Sequence, residues 1–264
     1  MKLLASDYDG TLRYEESVTE EDKEALKRWR KAGNLFVMDT GRSMQSAGME
    51  ADRNGIAADY YITNNGGMVY DSSRRELSAT YLDPVMSLDI MYIAKEIGGV
   101  VSYVVNDGYY RHRIIVDREL TEKRYPELEP DMDESELMET GKYAQIVISM
   151  AETQGASILA KRINDHFSDQ IIAYANKYAV DVVPKGISKA SGLDFVRERE
   201  GISLEDTYTI GDADNDIPLI EYGEHGACIA SAEEEIKVHA KHIYTCVAEM
   251  IDDILNDETE DGNA

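Results

Sequence analysis

Two short strand-like runs near opposite ends of the chain each break into carboxylates, and that pairing restricts the fold more than any other feature. Leu3-Leu4-Ala5-Ser6 leads into Asp7-Tyr8-Asp9-Gly10-Thr11, and Thr207-Tyr208-Thr209-Ile210 leads into Gly211-Asp212-Ala213-Asp214-Asn215-Asp216. Asp and Gly are ordinary turn formers, and acids at a helix start are favoured by the helix dipole, so each cluster alone has an ordinary explanation. Taken together they need another, because anions held close repel unless a cation or a shared proton neutralises them. The open end of a parallel sheet is where α/β proteins place ligands, and a hard divalent ion such as Mg²⁺ prefers carboxylate oxygens. The two clusters read as one metal site at the C-terminal ends of strands.

The sequence between them alternates strands and helices. Thr19 with Asp22 has the form of a capping box, opening a helix with Ala25, Leu26 and Trp29 on one face and closing at Gly33. Leu35-Phe36-Val37-Met38 is a second strand, ended by Asp39-Thr40-Gly41-Arg42, and Ser43 caps a helix running towards Gly55. Tyr60–Thr63 is a third strand, ended by the turn Asn64-Asn65-Gly66-Gly67. Such a βαβαβ series implies a parallel sheet with right-handed crossovers. From about Leu82 the pattern changes: Val100–Val105, Asn106-Asp107-Gly108 and Tyr110–Val116 read as a β-hairpin. A polar, acidic stretch follows to Glu139, then the strand Gln145–Ser149, a helix around Ile158–Phe167, and the runs Ile171–Tyr174 and Ala179–Val183. Pro184-Lys185-Gly186 is the return linker. Helix 190–199, strand 207–210, helix 217–222, strand Ala227–Ile229 and a helix from Glu233 then complete the first domain. The expected architecture is α/β. A Rossmann-like parallel-sheet core with helices on both faces comprises residues 1–81 and 184–264, with an α+β domain inserted over 82–183.

Composition narrows the function classes. With 27 basic against 52 acidic residues the net charge is −25, which argues against nucleic acid or an anionic membrane surface as partner. No apolar run approaches the roughly 20 residues of a membrane span, and Met1–Ala5 has no signal-peptide pattern. Cys228 and Cys246 lack metal-ligand spacing and read as small buried residues of a reduced, cytoplasmic protein. Asp252–Asp261 reads as a disordered acidic tail. Nothing in the sequence bears on oligomeric state.

Asp7-x-Asp9-Gly10-Thr11-Leu12, Thr40-Gly41-Arg42, Gly186-Ile187-Ser188-Lys189 and Gly211-Asp212-x-x-Asn215-Asp216 occur in that order. In that order they resemble the four motifs of the haloacid dehalogenase superfamily, and more narrowly its Cof-type phosphatases, whose α+β cap is inserted between the second and third motifs. Asn65-Gly66-Gly67 resembles the family's Asn-Gly-Ala turn. Cys228-Ile229-Ala230-Ser231-Ala232 departs from the usual Met-Gly-Asn-Ala segment, and the customary Asn-x-x-Asp-Gly-Val near the C-terminus is missing.

The resemblance implies a Mg²⁺-dependent phosphatase acting on small phosphorylated metabolites, sugar phosphates or cofactor-like phosphate esters. In it Asp7 is the nucleophile, Asp9 the general acid and base, and Lys189 the phosphate-binding lysine. The metal ligands are Asp7, the Asp9 backbone carbonyl and Asp212, with Asp216 and Asn215 orienting the metal's waters and Lys189. Thr40, Gly41 and Arg42 supply phosphate contacts, for which hydroxyl and N–H donors at a helix start are suited. In the inserted domain, Tyr109-Tyr110-Arg111-His112-Arg113 is the densest basic and aromatic group. Strand alternation would put Arg111 and Arg113 on one face, able to hold an anionic leaving group or to form a cross-strand ion-pair ladder. A dehalogenase is disfavoured by Asp9, because carbon–halogen displacement needs no acid there. A phosphomutase using the same nucleophile and a non-enzymatic sugar-phosphate sensor are the alternatives.

Overall fold

The computed structural model describes residues 1–14, 17–167 and 169–261. In chain order its elements are β1 (Leu3–Ser6), α1 (Glu20–Lys31), β2 (Leu35–Asp39), α2 (Met44–Asn54), β3 (Tyr60–Thr63), β4 (Met68–Asp71) and β5 (Glu76–Ala79). They continue with α3 (Pro84–Glu96), β6 (Val100–Asn106), β7 (Arg111–Ile115), α4 (Glu134–Thr140), β8 (Gln145–Met150), α5 (Thr153–Phe167), β9 (Ile171–Asn176) and β10 (Ala179–Pro184). Last come α6 (Lys189–Glu200), β11 (Thr207–Gly211), α7 (Ile217–Ile220), β12 (His225–Ile229), α8 (Glu234–Lys237), β13 (His242–Tyr244) and α9 (Val247–Asp261). The chain divides into two compact units: Met1–Gly41, Ala47–Leu77 and Ser188–Ala264 form one, Arg42–Ser46 and Ser78–Ile187 the other.

The first unit is built on a sheet of order β13-β12-β11-β1-β2-β3-β4-β5. Its strands run parallel from β13 to β3, and β4 turns back antiparallel on β3. The central strands are apolar on both faces, as a sheet covered on both sides requires. Leu3, Ala5, Val37, Ile62 and Val69 pack on Leu193 and Val196 of α6. At the start of α1 the Thr19 hydroxyl oxygen accepts the Asp22 N–H at 3.1 Å, while Asp22 Oδ1 accepts the Ala248 N–H at 2.9 Å, tying α1 to the first turn of α9. Ser188 caps α6 with a reciprocal Ser191 contact, so the first helical residue is Lys189. Gly66 seats this helix start. Its φ is +101°, and a Cβ there would fall 1.9 Å from the Ser188 carbonyl oxygen.

The second unit is an antiparallel sheet of order β7-β6-β8-β10-β9. One face buries Tyr103, Val105, Ile146, Ile148, Val180 and Val182 against Met86, Ile90 and Met91 of α3 and Leu159 and Ile163 of α5. The other packs Val104, Val147 and Ala179 against Tyr125 and Leu128.

The expected parallel-sheet core is present, and β4 and β5, unread in the sequence, extend it beyond the Asn64–Gly67 turn. Three sequence expectations are corrected. The helix from Glu233 is only α8, with β13 and α9 following. Asp252–Asp261 is not a disordered tail but part of α9: Met250, Ile251 and Ile254 are buried, and Arg28 of α1 bonds Asp252 at 2.5 Å. The charge of that stretch hides an apolar stripe. Cys228 is buried as expected, whereas Cys246 is only half-buried. The helices α3 and α4 also went unread, α3 because Val85 and Tyr92 sit exposed beside the buried Met86 and Met91 and blur its periodicity.

Substituting Gly66→Ala forces a left-handed residue into the Ser188 carbonyl. Urea unfolding is expected to show a loss of roughly 2–3 kcal/mol, and an unchanged midpoint would contradict this packing.

Candidate active site

Strand register delivers the site. Ser6 pairs with Met38 on one side and Ile210 on the other, so the next residues along the three strands, Asp7, Asp39 and Gly211, emerge side by side. β3 adds the Asn64–Gly66 turn, and α6 enters with Lys189 in its first turn.

Lys189 is fully buried, and its ammonium donates to Asp7 Oδ1 and, at 2.5 Å, to Asp216 Oδ1. The second Asp216 oxygen accepts the backbone N–H groups of Asp212 at 3.0 Å and Ala213 at 3.1 Å. The Thr11 hydroxyl donates to Asp212 Oδ1 at 2.7 Å. Gly10 makes room: its φ is +105°, and a Cβ there would lie 2.3 Å from Asp212 Oδ2. One carboxylate oxygen from each of Asp7, Asp212 and Asp216 falls within 4.8 Å of the others.

The electrostatics follow from burial. Desolvation first, then repulsion from Asp216, pushes the Asp7 carboxyl well above the usual range against the pull of Lys189. Asp212 is raised for the same two reasons, opposed by the Thr11 hydrogen bond. Burial would lower Lys189, but Asp216, Asp7 and Asp39 outweigh it and hold the ammonium above its ordinary value. With all three ionised, three carboxylates face one ammonium, so negative charge is left over. An all-oxygen set with surplus negative charge fits a hard divalent cation.

The remaining residues singled out from the sequence lie as follows. Asp9 pairs with Arg13 at 3.1 Å and its side chain is 40 % exposed, so its carboxylate stands apart from the three-carboxylate group. Thr40 is buried, its N–H bonded to Ile62 O at 2.9 Å. Asn215 Nδ2 donates to Asn65 Oδ1 at 2.9 Å. In the second unit, Arg42 donates to Ser46 Oγ at 2.9 Å, and the Arg111 guanidinium lies 5.3 Å from the Tyr125 ring centre. The buried Arg113 donates to Leu128 O at 2.9 Å and sits 3.6 Å from Glu122.

Three residues of the site escaped the sequence reading. Arg13 is the partner of Asp9, and Asn65 that of Asn215. Asp39 is completely buried with neither carboxylate oxygen hydrogen-bonded among the described residues, and burial pushes its carboxyl well up, against the pull of Lys189. A carboxylate closing the apolar run Leu35–Met38 was the available signal for Asp39.

A family model described as haloacid dehalogenase-like hydrolase matches residues 4–251. A 5-amino-6-(5-phospho-D-ribitylamino)uracil phosphatase of Bacillus subtilis is 23 % identical over 285 residues, covering 97 % of this chain and 99 % of that protein. An HMP-PP phosphatase of Serratia proteamaculans is 24 % identical, covering 89 % and 86 %. Among solved structures, a haloacid dehalogenase-like hydrolase from Bacteroides thetaiotaomicron aligns with a TM-score of 0.80 at 22 % identity, over 96 % of this chain and 99 % of that one. A subclass IIB sugar phosphatase of the HAD superfamily aligns at 0.78 and 21 %, with the same coverage.

Asp39 generates a pH prediction. Its unfolded pKa is about 4 and its folded pKa is raised, so between the two the folded state binds more protons and stability falls as pH rises. Asp39→Asn removes that slope. The stability of the variant relative to the parent should improve steadily from about pH 4 upward in urea titrations, and a difference independent of pH would contradict the buried acid.

Proposed function

The chain belongs to the haloacid dehalogenase-like hydrolases and is a phosphatase, and from this we propose that it is Mg²⁺-dependent and hydrolyses small phosphorylated metabolites through an aspartyl-phosphate on Asp7. The observation that carries the reading is the buried ammonium of Lys189, held by Asp7 and Asp216 with Asp212 beside them, at the open end of the sheet. Phosphoryl transfer needs in-line positioning and neutralisation of spread negative charge, and these groups suit both.

Asp7 attacks phosphorus, and the bond to the leaving alkoxide breaks as Asp9 gives it a proton. Asp9 then takes a proton from water, whose oxygen attacks the phosphorus of the aspartyl-phosphate and frees phosphate and Asp7. To carry that proton, Asp9 exchanges its pairing with Arg13 for one with the leaving oxygen. Lys189 neutralises the transferring group, and the Thr40 hydroxyl, the Gly41 N–H and the Asn215 amide bind its oxygens. Asp7, the Asp9 carbonyl and Asp212 would hold Mg²⁺, with Asp216 supporting them through Lys189 and the 212–213 backbone. When bound, the metal screens the repulsion between the Asp7 carboxylate and the phosphate.

In this reading residues 1–81 and 184–264 are the catalytic core and 82–183 the cap that selects the leaving group. Arg111 is the cap residue offered to an anionic substrate, and Arg42 a further phosphate contact. Arg113, already engaged by Leu128 and Glu122, supports the segment they belong to. Sugar phosphates and cofactor-like phosphate esters are the substrate class, in keeping with the phosphatases that the chain resembles.

Hydrolysis of p-nitrophenyl phosphate tests the reading. Activity should vanish with EDTA, return with Mg²⁺, and be abolished in Asp7→Asn. Asp9→Asn should lose roughly 10²–10⁴-fold on alkyl phosphates and less on aryl phosphates, whose departure needs little protonation. Near-normal turnover in Asp7→Asn would sink the covalent mechanism.

A further inference from the structure

Asn65 has no role in the mechanism just described, yet it links two groups that the mechanism uses. Its backbone is left-handed, φ 55°, as is that of Asn64, φ 53°. Such a conformation is uncommon outside glycine, with Asn among the residues that tolerate it best. The turn is pinned, because the Asn65 N–H donates to the Thr40 carbonyl at 3.2 Å. Its side-chain amide, 1 % exposed, therefore lies between the turn after β2 and the turn after β11. Towards the second, Oδ1 accepts from Asn215 Nδ2 at 2.9 Å. Towards the first, the amide rests against Gly41, where an added Cβ would sit 3.0 Å from Oδ1 and 3.3 Å from Nδ2.

Nδ2 is buried and has no hydrogen-bond partner among the described residues. Buried amide donors are almost always satisfied, and one left open beside phosphate-binding groups is an acceptor-shaped gap. Glycine would satisfy the backbone without strain, so the side chain is what this position gains from Asn.

We infer that Asn65 is a phosphate-binding residue: Nδ2 donates to an oxygen of the phosphate held at Thr40-Gly41, and Oδ1 orients the Asn215 amide so that its other N–H faces the same group. The inference rests on the phosphatase reading and adds a donor to its binding site. It also explains the small residue at 41, since a side chain there would push the amide away from the turn.

The test compares wild type, Asn65→Gly and Asn65→Asp, using inorganic phosphate as inhibitor of p-nitrophenyl phosphate hydrolysis in Mg²⁺ and as titrant in calorimetry. Gly fits the left-handed backbone, so Asn65→Gly should fold with only a small fall in melting temperature, from the lost Asn215 bond, while binding phosphate about tenfold more weakly, the scale of one hydrogen bond to a charged group. Asn65→Asp keeps the acceptor for Asn215, loses the donor and turns a negative charge on the phosphate, so it should bind phosphate most weakly of the three. Phosphate binding by Asn65→Asp equal to wild type would overturn the inference. So would a fall in melting temperature and kcat in both variants with the phosphate inhibition constant unchanged, which marks a structural residue. Failure of the parent reading is seen separately, as absence of Mg²⁺-dependent hydrolysis by the wild type, and would remove both.

Discussion

An ammonium group taken wholly out of water keeps its charge only where carboxylates replace the solvent, and Lys189 meets that condition through Asp7 and Asp216. Removing one partner of a buried pair typically costs about 3–5 kcal/mol, because the other charge is left uncompensated. The three groups arrive from β1, the first turn of α6 and the turn after β11, so this one contact fixes where three separate segments meet. It also leaves the cluster anionic, since Asp212 joins it without a cation of its own among the described residues. Stability and chemistry are thus in tension at one point. The charge surplus that disfavours the folded state is what suits the site to a divalent cation and a phosphate ester.

The fold around this point is arranged to let charged groups approach closely. Gly10 lets Asp212 lie against the backbone after β1, and Gly66 lets the start of α6 rest on the turn after β3. Asp216 uses one oxygen for Lys189 and the other for two backbone N–H groups, which sets its orientation completely. Asp39 is the exception: among the described residues nothing hydrogen-bonds its carboxylate, and the field of Lys189 opposes the effect of its burial. The Lys189 ammonium is left to its two bonded partners, Asp7 and Asp216.

Much of this is readable from the sequence wherever local pattern carries it. The strands ending at Ser6, Asp39, Thr63 and Gly211 announce themselves as apolar runs stopped by Asp, Asn, Thr and Gly, and the order of the motifs around Asp7, Thr40, Lys189 and Asp212 identifies the family. The unread parts depend on distant or irregular contacts. Asn65 and Asn215 are 150 residues apart, and no period predicts that their amides meet. Arg13 reaches back four positions to Asp9 within a loop, where the i,i+4 rule for helices gives no warrant for the pair. The end of α9 reads as a tail from its many Asp and Glu residues, although Ile251 and Ile254 define a buried face. In the second unit, Arg111 and Arg113 share a strand, but their neighbours divide them: Tyr125 lies under one, Leu128 and Glu122 engage the other.

In the proposed mechanism Asp7 becomes covalently phosphorylated. Acid-quenched single turnovers with a ³²P-labelled phosphate ester, in an Asp9→Asn background that slows hydrolysis of the intermediate, test it most directly. A hydroxylamine-labile label is expected on the tryptic fragment that contains Asp7. Leaving-group release without any protein-bound label, or a label confined to a fragment without Asp7, would contradict it.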